Sequence, residues 1–339
     1  MNELNSPGTP VAAPERTVSA GRAVITLATT KSVYLRMAIN LARSFNVWNR
    51  DSGIAFHIIT DLDDPMPADL ANVKLLRLPV GALGVAFSAK LHLDELAPAA
   101  QTLFIDSDCL VMGPLNPVFD RFAGRAVAIQ GEQISDGLWC GDVVEMCRHS
   151  GVASLPKFNG GIYYLEPGPK ATAVYADARE LETHYDEWKL VRLRGHANEE
   201  PIMSMAMARA GLDALPEDDI IMAPFNYYQE IHRLDVFGGS CIVSNPPPPS
   251  PNHRATVPVR VVHPLIPHFV NDYTDHWRYR AEVLKMRQVV EGTPLWLSKI
   301  VAFFTIVVPG VAKNVAKEKL RPLYRKLFGV RRIRLTERV

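Results

Sequence analysis

The chain is 339 residues long, 47% apolar and 22% charged, which is the balance of a soluble globular protein with material for one large domain or two modest ones. Its formal net charge of +1 conceals an asymmetry: residues 313–339 hold ten of the 37 Lys/Arg but only two of the 36 Asp/Glu. The mildly acidic remainder argues against a nucleic-acid-binding body, and four cysteines with no CxxC pair argue against a disulfide framework. Free thiols fit a reducing, cytoplasmic setting.

Residues 1–21 are polar and Pro-rich with no apolar core, so they read as a disordered segment rather than a secretory signal. Ala23 to Ala28 is a β-type run broken at Thr29-Thr30-Lys31-Ser32. From Val33 the apolar spacing turns helical, with Ser32 as the expected N-cap. Ile54–Thr60 and Val73–Leu78 read as strands, and Ala89–Leu96 reads as a helix. That helix leads into Gln101–Val111, where the apolar run Thr102-Leu103-Phe104-Ile105 stops at Asp106-Ser107-Asp108 and resumes at Cys109. Ala126–Ile129 is a further strand, and Glu132–Leu155 is irregular in pattern. Asn159-Gly160-Gly161 then opens a strand through Leu165. Helical patterns follow at Ala171–Leu190 and Glu199–Ala210, the second with Pro201 in its first turn. Ile220–Phe225 is a strand, Asn245–Pro251 an extended Pro-rich loop, and Val259–His263 the last strand. Strands alternating with helices predict an α/β layer with a mostly parallel sheet, whose ligands sit beyond the carboxyl ends of the strands. Thr29-Thr30, Asp61 and Asp106-Ser107-Asp108 all fall at such ends.

Two carboxylates at i and i+2 beside a buried strand repel each other unless something compensates. A divalent cation would do so, since alternate side chains of an extended chain share a face; the other reading is a turn whose aspartates cap backbone N–H groups. Asn159-Gly160-Gly161 is open in the same way, either to close backbone approach by a ligand or to a simple Gly bulge. Glu199 and Glu200 suit the positive end of a helix dipole as well as a ligand. Neither GxGxxG after the first strand nor GxxxxGK[ST] is present, which weakens dehydrogenase and P-loop readings.

The strand ending in DxD, the Lys-bearing helix before it, the Asn-Gly-Gly strand and a late strand ending in His together resemble GT-A type glycosyltransferases. The likeness is greatest to family 8, the glycogenin and lipopolysaccharide galactosyl- and glucosyltransferase group. It runs from about Ala23 to about Phe269, with AKLHLDELAPAAQTLFIDSDCLV and FNGGIYYLEP as its best blocks. The resemblance implies a GT-A nucleotide-diphospho-sugar transferase fold over residues 22–280. It implies a metal-dependent transfer of a hexose, with retention, from a nucleotide-sugar (a UDP-sugar) to an acceptor hydroxyl of a glycan or glycolipid. Asp106, Asp108 and His263 would bind Mn²⁺ or Mg²⁺, and Glu199 and Glu200 would lie near the transferred sugar. Ala28, Thr29, Thr30, Tyr34, Lys90, Ser107, Asn159, Gly160 and Gly161 would line the donor. The family's late His-x-x-Gly-x-x-Lys-Pro-Trp is reduced here to His263-Pro264-Leu265-Ile266-Pro267-His268-Phe269, which makes His268 a substitute for the missing phosphate lysine.

Residues 281–339 form a separate C-terminal part. An apolar run, Ile300–Ala312, carries Pro309-Gly310 and then gives way to Lys/Arg-rich sequence with Leu320, Leu323, Leu327 and Phe328 at helical spacing. This part is open to two readings: an anchor lying on an anionic membrane surface through residues 295–339, at the inner face of the cytoplasmic membrane, or a helical hairpin packed on the body or another subunit. Two rivals to the enzyme reading are a catalytically silent scaffold at the membrane and a metal-dependent nucleotidyltransferase.

Overall fold

The computed structural model describes residues 18–84, 86–216, 221–247 and 260–329. Most of the expected N-terminal segment, Ile220, Val259, the Pro-rich loop from residue 248 and the last ten residues of the tail lie outside the described residues.

The first half winds β1 (Ser19–Leu27), α1 (Ser32–Asn49), β2 (Ile54–Thr60) and β3 (Lys74–Arg77). A 3₁₀ stretch (Ala86–His92) and the short α2 (Leu93–Leu96) then deliver the chain to β4 (Ala99–Ile105). After α3 (Asn116–Phe122) come β5 (Val127–Ala128), β6 (Gln130–Ile134), α4 (Val143–Ser150), β7 (Leu155–Phe158) and β8 (Ile162–Leu165). Next are α5 (Pro169–Glu182), α6 (Glu199–Arg209), β9 (Leu215–Pro216) and β10 (Met222–Pro224). The body closes with β11 (Glu230–Asp235), β12 (Ser240–Ser244), β13 (Val261–Val262), β14 (Ile266–His268) and α7 (Trp277–Val290). The tail is α8 (Leu295–Ala302), one π-helical segment (Phe303–Val307) and α9 (Val308–Phe328).

The central sheet has six strands in the order β3-β2-β1-β4-β8-β5. β3, β2, β1 and β4 run parallel, while β8 and β5 pair antiparallel at the far edge. Val24, Ile25, Leu103, Phe104 and Ile105 have no exposed surface, as expected for strands covered on both faces. One apolar layer packs α1 and α3 on the sheet through Leu41, Phe45, Phe56 and Phe119. The other sets α5 and α6 against the opposite face through Phe104, Tyr175, Ile202 and Met205. A third cluster joins α7 to the small β11-β12-β13 sheet.

Local expectations shift in four places. The N-cap of α1 is Lys31 without a side-chain cap bond, and Ser32 is already helical. The stretch expected as a helix from Ala89 is mostly 3₁₀. The helix expected to reach Leu190 stops at Glu182, after which the chain turns on 3₁₀-type bonds and Lys189 takes φ 56°. Finally, β13 is not the last strand, because the short β14 follows it.

Candidate active site

β4 places Asp106 at its carboxyl end, where the Asp106 N–H donates to Gly161 O at 2.9 Å and a turn closes from Cys109 N to Asp106 O at 3.0 Å. Beyond the turn the chain runs beside β14. Leu110 N donates to Pro267 O (3.2 Å), Cys109 bridges His268, and Phe269 N donates to Asp108 O (3.0 Å). This antiparallel pairing carries His268 across to the aspartates. Its Nε2 lies 3.1 Å from Asp108 Oδ1 and 3.7 Å from Asp106 Oδ2. His263, expected as the metal ligand, is instead exposed just past β13, the outer strand of the small sheet, because the chain bends at Leu265 and reaches the site only with β14. The imidazole beside the DxD is therefore that of His268.

The proton on His268 can be assigned from its neighbours. Gly161 N–H, which can only donate, points at Asn159 Oδ1 (3.1 Å), so that oxygen is an acceptor. His268 Nδ1 is 2.8 Å from the same oxygen and must donate to it. Nε2 then faces Asp108, joined to it either by a proton that it donates or by a cation held between them. Asp108, Cys109 and His268 place one donor atom each within 4.8 Å of one another, all three buried. One carboxylate, one thiol and one imidazole thus form a group that could hold a metal ion.

Lys90, on the 3₁₀ stretch, is held on three sides. Its ammonium contacts Asp106 Oδ2 (2.8 Å), Gly160 O (2.9 Å) and Glu199 Oε1 (2.9 Å), and it stands 5.4 Å over the Phe104 ring. Burial by itself would lower its pKa, but the Asp106 and Glu199 carboxylates outweigh burial and hold it above the ordinary value. Those three contacts match the three N–H bonds of an ammonium, so Lys90 fixes Asp106 and Glu199 instead of reaching outward.

Glu199 and Glu200 open α6 behind Asn198, whose side chain caps Glu200 N at 3.4 Å. Glu200 Oε1 accepts from Gly160 N (2.8 Å) and from Asn159 Nδ2 (3.5 Å), and Oε2 accepts from Asn198 Nδ2 (3.4 Å). Glu199 is 2% exposed. Burial, opposed by Lys90 and assisted by Glu200 and Asp106, pushes its carboxyl up to about 7. Burial likewise raises Glu200, against the Gly160 N–H that favours its charged form. Glu199 Oε2 and the Tyr163 hydroxyl are buried without a hydrogen-bond partner. The glycines matter here: a Cβ on Gly160 would stand 2.4 Å from Glu199 Oε1, and one on Gly161 would stand 2.5 Å from His268 Nδ1.

At the ends of the parallel strands, Thr30 N donates to Asp61 Oδ1 at 2.7 Å, and Thr30 takes φ 70°, a strained value for a β-branched residue. Ala28 is fully buried and its N–H bonds Ile59 O, whereas Thr29 and Tyr34 are half-buried. Ser107 is 7% exposed in the turn between the aspartates. The structure thus joins Lys90, Asp106, Asp108, Asn159, Gly160, Gly161, Glu199, Glu200 and His268 through one network of contacts. Sequence reasoning missed Cys109, Asn198, Tyr163 and Cys140. The Cys140 thiol lies 3.4 Å from Asn198 Nδ2, and burial followed by Glu200 pushes it up to about 12. Of these, only Asn198, an Asn directly before a helix opening in Glu-Glu-Pro, carried a signal in the sequence.

The galactosyltransferase LgtC, solved in complex with donor and acceptor sugar analogues, matches with a TM-score of 0.50 at 15% identity, over 82% of this chain and 99% of that one. The chain has the GT-A fold. Lesser likenesses are to the glycosyltransferase GlyE of Streptococcus pneumoniae (TM-score 0.40, 16% identity, 58% of this chain and 45% of that one) and mouse xyloside xylosyltransferase 1 (0.41, 11%, 71% and 97%). The chain therefore spans less than half the length of GlyE. No protein-family model matches the sequence, and no curated protein is similar to it.

Proposed function

We propose that this protein is a metal-dependent glycosyltransferase that moves a hexose from a nucleotide-sugar, a UDP-sugar by resemblance, to a hydroxyl of a glycan or glycolipid acceptor. The observation that carries the reading is the convergence of Asp106, Asp108 and His268 at the carboxyl end of β4 of a GT-A fold, beside Asn159-Gly160-Gly161 and Glu200. A cation held by Asp108, His268 and Asp106 would neutralise the charge that develops on the departing diphosphate. Asn159 keeps the His268 ring oriented, and Lys90 keeps Asp106 aimed. Glu200, linked to Gly160 N and Asn159, presents a carboxylate edge to the space where the sugar would lie. Thr29, Thr30 and Tyr34 supply the wall for base and ribose. Retention of anomeric configuration belongs to the same proposal and rests on the family 8 resemblance; a cytoplasmic setting rests on the free thiols.

Incubation with a panel of nucleotide-sugars and Mn²⁺ tests it. Donor hydrolysis or transfer should appear with one of them, stop on chelation, and fall by about 10²–10³ in Asp108→Asn. Full turnover in Asp106→Asn or Asp108→Asn, or consumption of a nucleoside triphosphate instead of a sugar donor, would sink the reading.

A further inference from the structure

The tail helix inverts the usual distribution of side chains. From Leu295 to Phe328 it is one continuous helix of 34 residues, long and apolar enough to cross a membrane by length and composition. The face it turns to the body is made of small residues: Ser298 and Ala302 are buried, and a Cβ on Gly310 would meet Trp277 Cβ of α7 at 2.4 Å. The opposite face carries the large ones, with Trp296 65%, Phe303 50% and Phe304 66% exposed, followed by Val308, Val311 and Val315. In an unbroken α-helix at 100° per residue, Gly310 would fall away from the line of Ser298 and Ala302. The π-helical segment Phe303–Val307 takes up about one extra residue and restores it, and the same insertion returns Val308, Val311 and Val315 to the line of Trp296, Ile300 and Phe303. Lys299 Nζ, 3.7 Å from Asp235 Oδ2, ties the start of the helix to β11. Further on, residues 313–328 carry six Lys/Arg and one acidic residue, Glu318, and every described residue from Val311 on is exposed.

We propose that Leu295–Phe328 is a one-sided, in-plane membrane contact: its large apolar face enters the headgroup boundary of a bilayer while its small face, from Ser298 to Gly310, stays packed on α7. Two features favour lipid over a second copy of the chain. The basic side chains beyond Val311 complement anionic headgroups and would repel the same segment of another copy, and an apolar face flanked by Lys/Arg is what an interfacial helix needs. The fixed packing on α7 argues against spanning, since a spanning helix would have to leave Trp277 and Asp235. The inference is independent of the glycosyl-transfer reading.

The test is flotation of the full chain with neutral phosphatidylcholine vesicles and with vesicles containing phosphatidylglycerol. Binding is expected only to the anionic vesicles, weakened by salt, released by an alkaline carbonate wash, and lost in Phe303→Asp/Phe304→Asp. Both phenylalanines are exposed, so an unchanged melting curve shows that this variant folds. Each Lys or Arg neutralised in Lys317→Gln, Lys319→Gln or Arg321→Gln should lower partitioning about fivefold. Four results overturn the proposal: no flotation, equal flotation with neutral vesicles, binding undiminished in Phe303→Asp/Phe304→Asp, or resistance to carbonate, which would mean a span. A lipid-free dimer abolished by Phe303→Asp/Phe304→Asp would likewise overturn it in favour of a second copy.

Discussion

The crevice at the end of β4 and the helix after Leu295 break the same rule in opposite directions. Around Asp106 the chain buries charge: Lys90, Glu199 and Asp108 have little contact with water. Along the tail it exposes what is ordinarily buried, Trp296, Phe303 and Phe304 among them. In the crevice the burial is made tolerable largely by mutual pairing, because Lys90 meets both Asp106 and Glu199 and the Gly160 N–H meets Glu200. In the tail no internal compensation exists, and only the small face is covered. Departures from the inside-outside rule concentrate where a molecule meets something else, and the two proposals differ in what would complete each one: a small charged ligand in the first case, an extended surface in the second.

The largest effect expected on this contrast comes from taking out the central cation. Lys90→Met leaves Asp106 and Glu199 facing each other, and should destabilise the fold by about 3 kcal/mol in a urea titration. Adding Glu199→Met should recover much of that loss, because an apolar pair replaces a broken ionic one. If Lys90→Met alone melts like the parent, the buried charges are not paired as described. The next effect should touch function more than stability. In Gly161→Ala the new Cβ, at 2.5 Å from His268 Nδ1, must push the ring off its Asn159 bond, and Mn²⁺ affinity by titration calorimetry should fall about 10–100-fold. Unchanged affinity would remove His268 from the metal reading.

How far these two regions were legible in the sequence follows from how local their causes are. Thr102–Ile105 followed by two aspartates reads directly, because a buried strand and its abrupt end are written in consecutive residues. The imidazole did not read correctly. Val259–Val262 looks like the last strand, so His263 attracts the role, while Ile266-Pro267-His268, short and interrupted by proline, becomes a strand only through pairing with Met222–Pro224 and with the chain after Asp108. The confinement of Lys90 by Glu199 was equally hidden, since 109 residues separate the partners and only the fold joins them. In the tail the apolar run and the basic run were plain. Which face would be covered was not, because that depends on Trp277 and on a π-helical turn that no pattern of residues announces.

The tail offers its own version of the contrast, with smaller effects. Gly310→Ala adds one methyl to the covered face and should cost about 1–3 kcal/mol by overpacking against Trp277, seen as lost hydrogen-exchange protection in α8. Phe303→Ala removes a whole ring from the open face, yet should change lipid-free stability by no more than about 0.5 kcal/mol. Reversal of that order would mean that the large face is covered in the free protein.

The smallest effect concerns the platform on which the tail rests. His276 caps α7, its Nδ1 accepting from Arg278 N at 3.3 Å, so it must be unprotonated there. Burial, then the nearby Arg278 charge, pull its pKa down from 6.5 to about 4. A depressed base binds its proton more weakly folded than unfolded, so its contribution is complete above pH 6.5 and drains away as pH falls toward 4. Melting curves between pH 7 and pH 5 should show that decline, and His276→Asn, which keeps an acceptor at the cap and cannot titrate, should reduce it. An unaltered slope in His276→Asn would place the acid sensitivity among the buried carboxylates of the crevice instead, tying pH to the other end of the comparison.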